Sequence, residues 1–379
     1  MRRIVVLGGL LALVAMGCGG GDEGGAGGGR SSGEASDELA VSTLGWETDF
    51  SKHTVPLSEF MSGGPGKDGI PAVDEPKFVS VEEAGDWLAA REPVIELELG
   101  GVTRAYPLQI LVWHEIVNDE VAGRPVAVTF CPLCNTAIVF DRRLDERVLD
   151  FGTTGNLRHS DLVMYDRQTE SWWQQFGGEA VVGELAGERL ELLPSRIVAW
   201  GDFAGRHPDG EVLSRDTSFG RDYGRNPYAG YDDVDSGPFF PAKGADDDRL
   251  LPKERVVFIE LENEAVAVPF SVLRKEQTME VEVGGERLEL RWVPGVGSAL
   301  DSPDIGDGRE VGSAEVRSLV SGEPVPFDQP FWFAVASFRP DIRIVGAEAG
   351  ASSSSSAPKD TVPAAPASPP RRGYLAPQA

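Results

Sequence analysis

The sequence is short of the residues that build metal and redox centres. It has three cysteines and four histidines in 379 residues, and only Cys131 and Cys134 lie in the body of the chain. With no second cysteine pair, a four-cysteine zinc site is excluded. Basic residues are scarce too: 35 Lys and Arg face 61 Asp and Glu, a net charge of -26. Such a chain repels nucleic acid and anionic lipid, so a nucleic-acid partner is set aside. The acidity is spread along the chain, as on a soluble, self-repelling surface. The apolar run from Ile4 to Met16 falls short of the roughly 20 residues a membrane-spanning helix needs. Asp232, Asp233 and Asp235 lack the glycine and terminal glutamate of a calcium loop and read as solvated loop. No nucleophile motif surrounds Ser160, although His159 is its neighbour.

What is present at the N-terminus is a targeting segment, Arg2-Arg3 followed by that apolar run and Ala15-Met16-Gly17-Cys18. Small residues before a cysteine look like a bacterial lipoprotein signal, with Cys18 lipidated as the mature N-terminus; Ala15 stands where that motif usually has leucine. Ordinary secretion with cleavage nearby is the alternative. The expected location is therefore the bacterial cell envelope, held to the membrane through lipid at Cys18 only. Setting Cys18 aside leaves one thiol pair, which outside the cytoplasm should be a disulfide unless a metal or a reductant holds it otherwise. The expected organisation is a signal peptide over 1–17, a flexible linker over 18–44, a first unit over 45–250, a second over 251–347 and a disordered tail over 348–379.

Within the body, short alternating runs separated by Gly, Pro, Asn and Asp predict a mainly β fold with short helices, a β-rich α+β class. Val94–Leu99 and Val102–Tyr106 read as a hairpin turning at Gly100-Gly101. Pro107 suits the start of a short helix that runs to Asn118-Asp119, with Leu108, Leu111, Val112 and Ile116 along one side. A second hairpin turns near Gly123. Leu162–Tyr165 and Trp172–Phe176 read as a further hairpin, with Asp166 capping its turn.

An internal repeat is visible. Ile95-Glu96-Leu97-Glu98 recurs as Ile259-Glu260-Leu261-Glu262; Pro107 and Leu111 correspond to Pro269 and Leu273 after a two-residue shortening of the turn, and Gly123 to Gly285. The stretch Cys131–Cys134 then falls on Val293–Val296, Thr136-Ala137 on Ser298-Ala299, and His114 on Glu276. Trp200 through Asp209 resembles Trp332 through Asp341. This predicts two related hairpin-helix-hairpin units in one pseudo-symmetric body, the second degenerate. With Pro132 and Pro294 both present, the turn is expected to form without thiols, which weakens a purely structural role for the cysteines.

Several stretches together carry a family resemblance: Asp68–Pro71, Trp113–Asp119, Phe130–Ala137, Phe140–Arg142, Ser160–Ser171 and Ser214–Thr217. On these, residues 68 to about 347 resemble the bacterial and archaeal family catalogued as domain of unknown function 3179. Asn135 stands where glycine is common in that family. The resemblance implies relatives and no reaction.

Three readings of the Cys-Pro-x-Cys stretch follow from its residues. A turn between two strands looks like the knuckle of rubredoxins and zinc ribbons, aiming both sulfurs at one point for Zn or Cu, with Asn135 tolerating a left-handed backbone. His114 is the leading partner ligand and His159 the second; His53 and His207 rank below. Thiol–disulfide exchange uses the same spacing, but its first cysteine normally opens a helix, whereas Thr136–Phe140 reads as a strand. A structural disulfide closing so short a loop is worth only about 2 kcal/mol, and a non-catalytic binding module would then remain. Asp161, Asp166, Arg167, Trp172, Arg215 and Asp216 could line a polar cleft beside the cysteines, although Arg–Asp pairs this close more often fix turns. Trp172 and Trp173 are expected on opposite strand faces, one in the core and one flooring a cleft. The sequence names no protein partner and leaves open whether the chain is an enzyme.

Overall fold

Alternating apolar residues and paired turn residues produce a chain whose described residues are 38% strand and 14% helix, its sheets set like the blades of a five-bladed propeller, a ring of repeated units. The computed structural model describes residues 37–346. The signal segment, Cys18, most of the linker and the tail lie outside those residues. No described helix is long and apolar enough to cross a membrane.

The repeat is present element by element. Strand Pro93–Leu99 pairs with Val102–Pro107, and helix Leu108–His114 leads to strands Ile116–Val121 and Arg124–Cys131. The second unit repeats the series as Val256–Leu261, Glu264–Pro269, helix Phe270–Glu276, Thr278–Val283 and Glu286–Val293. The matching goes down to backbone sign. Gly100-Gly101 and Glu262-Asn263 both turn with positive φ, as do Ala122-Gly123 and Gly284-Gly285, and Glu115 and Gln277 end the two helices at φ 58° and 65°. Later elements match too: Glu211–Leu213 lies parallel to Val102–Pro107, and Arg343–Ile344 lies parallel to Glu264–Pro269.

Three expectations need correction. Both first hairpins have two-residue turns, so nothing is shortened, and Ile95 corresponds to Val257 rather than Ile259. A two-residue slip keeps inward residues inward, which is why the shifted match looked sound. The helix ends at His114, and Ile116 begins a strand, because the left-handed Glu115 reverses the chain. The third correction bears on the cysteines. Arg124–Cys131 turns back at once through Pro132–Asn135 into Thr136–Asp141, with Cys131 opposite Thr136. Glu286–Val293 instead pairs with Ser313–Ser318, Val293 opposite Ser313, after a long excursion over 294–312. Ser298-Ala299 is therefore not the counterpart of Thr136-Ala137. The second unit does not build the tight turn at all, so it no longer shows that the turn folds without thiols.

Candidate metal centre

Val126, Val128, Thr129 and Phe130 are β-formers, and with Ala127 all lie fully buried. Their strand and Thr136–Asp141 are the inner pair of a four-stranded sheet. The sheet delivers Cys131 and Cys134 into the interior at 1% and 0% exposure, as free thiols. Asn135 adopts φ 56°, the left-handed conformation expected after the second cysteine of a knuckle. Three contacts clamp the turn from later parts of the chain: Tyr231 Oη donates to the Leu133 carbonyl (2.9 Å), Phe331 N–H to the Cys134 carbonyl (2.9 Å), and Asn135 Nδ2 to the Gln329 carbonyl (2.7 Å).

The third participant is a carboxylate. Strands Phe151–Arg158 and Asp161–Asp166 join through His159 and Ser160, two non-glycine residues at φ 54° and 65°. This left-handed turn is strained for such side chains, and it points the Ser160 carbonyl at both sulfurs, 3.4 Å from Cys134 Sγ and 4.0 Å from Cys131 Sγ. The next residue, Asp161, is fully buried, and one of its oxygens lies within 4.8 Å of both sulfurs, which are as close to each other. Asp161 Oδ2 accepts from Gln174 Nε2 and from Phe176 N–H (2.9 Å). Among the described residues no donor stands in hydrogen-bond geometry to Asp161 Oδ1, while both thiols lie close enough to the carboxylate to favour its charged form as weak donors.

Electrostatics here all run against charge. Burial raises both thiols, Cys134 well above its ordinary value, while the thiol and backbone N–H of Cys134 partly offset this at Cys131. Burial pushes Asp161 up to about 6. Glu115, which sequence reasoning passed over for its neighbour His114, is buried as well; burial and then the charge of Asp161 lift it to about 8. Its own helix-ending backbone reversal is the signal that could have found it. Two thiols and two carboxyls thus share one low-dielectric region, where a cation would favour their charged forms.

The histidines are elsewhere. His114 is buried, but Nδ1 bonds the Pro71 carbonyl (2.8 Å) and Nε2 the Tyr223 hydroxyl (2.6 Å); it does not join the Cys131, Cys134 and Asp161 group. His159 turns away from the sulfurs to Glu59 (3.1 Å) and packs near Phe338. Helix geometry explains the first case: His114 closes the last turn, and the chain reverses before it reaches the cysteine strand. His53 is exposed, and His207 sits by Glu96, whose charge Arg196 and Arg206 already meet.

The predicted polar cleft also dissolves into separate contacts. Asp166 caps its turn through Thr169 N–H (2.7 Å) and accepts from Trp173 Nε1 (2.9 Å). Arg167 pairs with Asp74, Asp216 with Lys77, and Arg215 with Gln109 under the Trp87 ring. Trp172 and Trp173 do face opposite ways, yet both are fully buried, Trp172 against Trp46, Phe50 and Phe60, Trp173 against Phe151. Neither floors a cleft. Of the six residues, only Asp161 belongs with the cysteines. Asp232 is likewise no solvated loop residue: it is buried between Arg255 (3.0 Å) and Arg309 (2.6 Å).

With this geometry in place, a family model described as "Protein of unknown function (DUF3179)" matches residues 67–342. The chain belongs to this family. No curated protein and no solved structure matches it. All the residues of the DUF3179 candidate centre, Glu115, Cys131, Cys134, Ser160 and Asp161, lie inside the matched span.

Proposed function

We propose that this DUF3179 protein is an exported, lipid-anchored envelope protein that binds a soft or borderline metal ion through Cys131, Cys134 and Asp161. The observation that carries the reading is the fully buried Asp161 carboxylate, one oxygen of which lies within 4.8 Å of two buried thiols and whose Oδ1 has no donor in full hydrogen-bond geometry among the described residues. Thiols are weak donors, so the buried carboxylate is poorly satisfied at a cost, and a cation between it and the sulfurs removes that cost. A carboxylate among the ligands favours zinc over Cu(I), which two sulfurs and one further soft ligand satisfy better. Three protein ligands leave one zinc position for water or a ligand, as in sites that do chemistry; a bound zinc would supply Lewis acidity there. Glu115 and the partly buried Tyr228 lie within electrostatic reach of Cys131. Thiol exchange is the weaker reading, because it needs an accessible thiolate of lowered pKa, and these thiols are buried with raised ones. The lipid anchor rests on the sequence around Cys18.

The test is elemental analysis of the full chain purified under reducing conditions. Wild type should carry close to one zinc or copper per chain; Cys131→Ser and Asp161→Asn should each lose most of it, and His114→Gln should retain it. Metal-free wild type, or full occupancy in Asp161→Asn, would sink the assignment.

A further inference from the structure

Cys131, Cys134 and Asp161 are 1%, 0% and 0% exposed, so a hydrated cation in solvent does not meet them directly. The Glu115 carboxyl is placed differently. Its residue is 6% exposed, and neither oxygen accepts a hydrogen bond from the described residues or is sealed from solvent. The carboxyl therefore reaches solvent from the border of the centre. Its backbone lies against the end of the cysteine strand, where Phe130 N–H, just before Cys131, donates to the Glu115 carbonyl (2.8 Å). The Tyr228 hydroxyl is a second group of this kind, unpartnered among the described residues and not sealed, within electrostatic reach of both Glu115 and Cys131. Its ring centroid is 6.4 Å from that of Tyr231, whose hydroxyl clamps the cysteine turn.

The repeat supplies a comparison inside the chain. Gln277 ends the second unit's helix in the same positive-φ turn as Glu115, and Trp292 N–H donates to the Gln277 carbonyl (2.9 Å) as Phe130 N–H does to that of Glu115. The fold thus builds this turn without a carboxylate. The Gln277 amide bonds its own helix at the Arg274 carbonyl, whereas the Glu115 carboxyl is left unpaired in the unit that carries the cysteines.

We infer that Glu115 is the entry residue of the centre, forming with Tyr228 the mouth through which a divalent cation passes from solvent to Cys131, Cys134 and Asp161. The inference rests on the metal reading above. Loading is an exchange: each metal–sulfur bond forms as its thiol gives up a proton, so a cation travels in and protons travel out. Both cross a low-dielectric shell that penalises unpaired charge. A carboxylate at that boundary concentrates cations in front of the thiols, and the released protons leave to water at the same place.

The experiment is stopped-flow loading of the metal-free full chain with cobalt(II), whose bonds to thiolate absorb in the near ultraviolet, under reducing conditions at pH 8.5, above the value of about 8 to which burial lifts the Glu115 carboxyl. Glu115→Gln, which installs the second unit's residue, should load about tenfold more slowly and still reach the wild-type end point. Glu115→Asp keeps the charge and should load at close to the wild-type rate. Glu276→Gln removes an exposed carboxylate from the end of the second unit's helix and should leave the rate unchanged. Three results would each overturn the inference: a wild-type rate in Glu115→Gln, a lost end point in Glu115→Gln, which makes Glu115 a ligand, or equal slowing by Glu276→Gln, which makes the effect one of net charge. In all three the wild type still binds cobalt and the metal reading stands. A wild type that develops no cobalt–thiolate band overturns that reading, and the entry role with it.

Discussion

At neutral pH the buried Asp161 carboxyl is ionised at a cost to the metal-free protein, since its pKa rises from 3.8 to about 6 on folding. A raised carboxyl pKa means the folded state holds its proton longer, so stability falls as pH climbs from 3.8 through 6. Asp161→Asn should therefore stabilise the metal-free chain at pH 7.5 by roughly 1–3 kcal/mol, and be less stable than wild type once zinc is added. Thermal melts with chelator and with zinc check this crossover; the same order in both would contradict it. His114 and His159 act in the opposite sense. Burial lowers each to about 4, so the unfolded chain takes up protons first and stability drops as pH falls from 6.5 toward 4. Each contributes on the order of 3 kcal/mol to that drop. Urea denaturation of His114→Gln/His159→Gln should show a flatter pH slope over that window, whatever its absolute stability.

The elements around the centre are turns held in unusual backbone conformations. At φ 56°, Asn135 tolerates a conformation that costs most residues 1–2 kcal/mol, and its amide also holds Gln329. Asn135→Gly should lose about 1 kcal/mol, the hydrogen bond alone, whereas Asn135→Val should lose clearly more; urea midpoints separate the two. Gly155, at φ 74°, sits at the bulge of the hairpin that carries Asp161, and a Cβ there would meet the Pro65 carbonyl oxygen at 2.0 Å. No side chain can move aside for a backbone atom. Gly155→Ala should destabilise by roughly 3 kcal/mol or more and, by shifting the Asp161 strand, lower metal content together with stability.

Across the whole molecule the two repeated units are tied at the cysteine turn and at Asp232. Phe331 and Gln329, from within the second unit, bond the turn directly and Asp328 bonds the strand that leaves it, and Arg255 and Arg309 converge on Asp232 with Ser298. Asp232→Ala strands two guanidinium groups around a buried site and should cost about 3–5 kcal/mol. In wild type, tryptophan fluorescence and far-ultraviolet circular dichroism should report one shared unfolding transition; two separated transitions would show that the units fold independently.

How much of this was legible follows from the range of each interaction. Hairpins, the short helix after Pro107, the αL role of Asn135 and the repeat depend on neighbours a few residues apart, and strand alternation recorded them in the sequence. Even there, a period of two could not distinguish a register from its two-residue slip, which misplaced Ile95 and hid the different fate of the second turn. The thiol pair was visible as composition. Its carboxylate partner was legible only as one of six candidates for a cleft beside the thiols, because Asp161 reaches the sulfurs through a strained turn of another sheet, and spacing in the chain does not single it out from the other five. His114 looked like a ligand for the same reason: closeness along the chain stood in for a direction in space that the Glu115 reversal sets. The sequence by itself determined that this is a mainly β, repeated chain with one cysteine pair in a turn between two strands, since local sterics and periodicity suffice for that. Only the tertiary structure decided that Asp161 meets the sulfurs and His114 does not, because burial and long-range packing are properties of the assembled sheets.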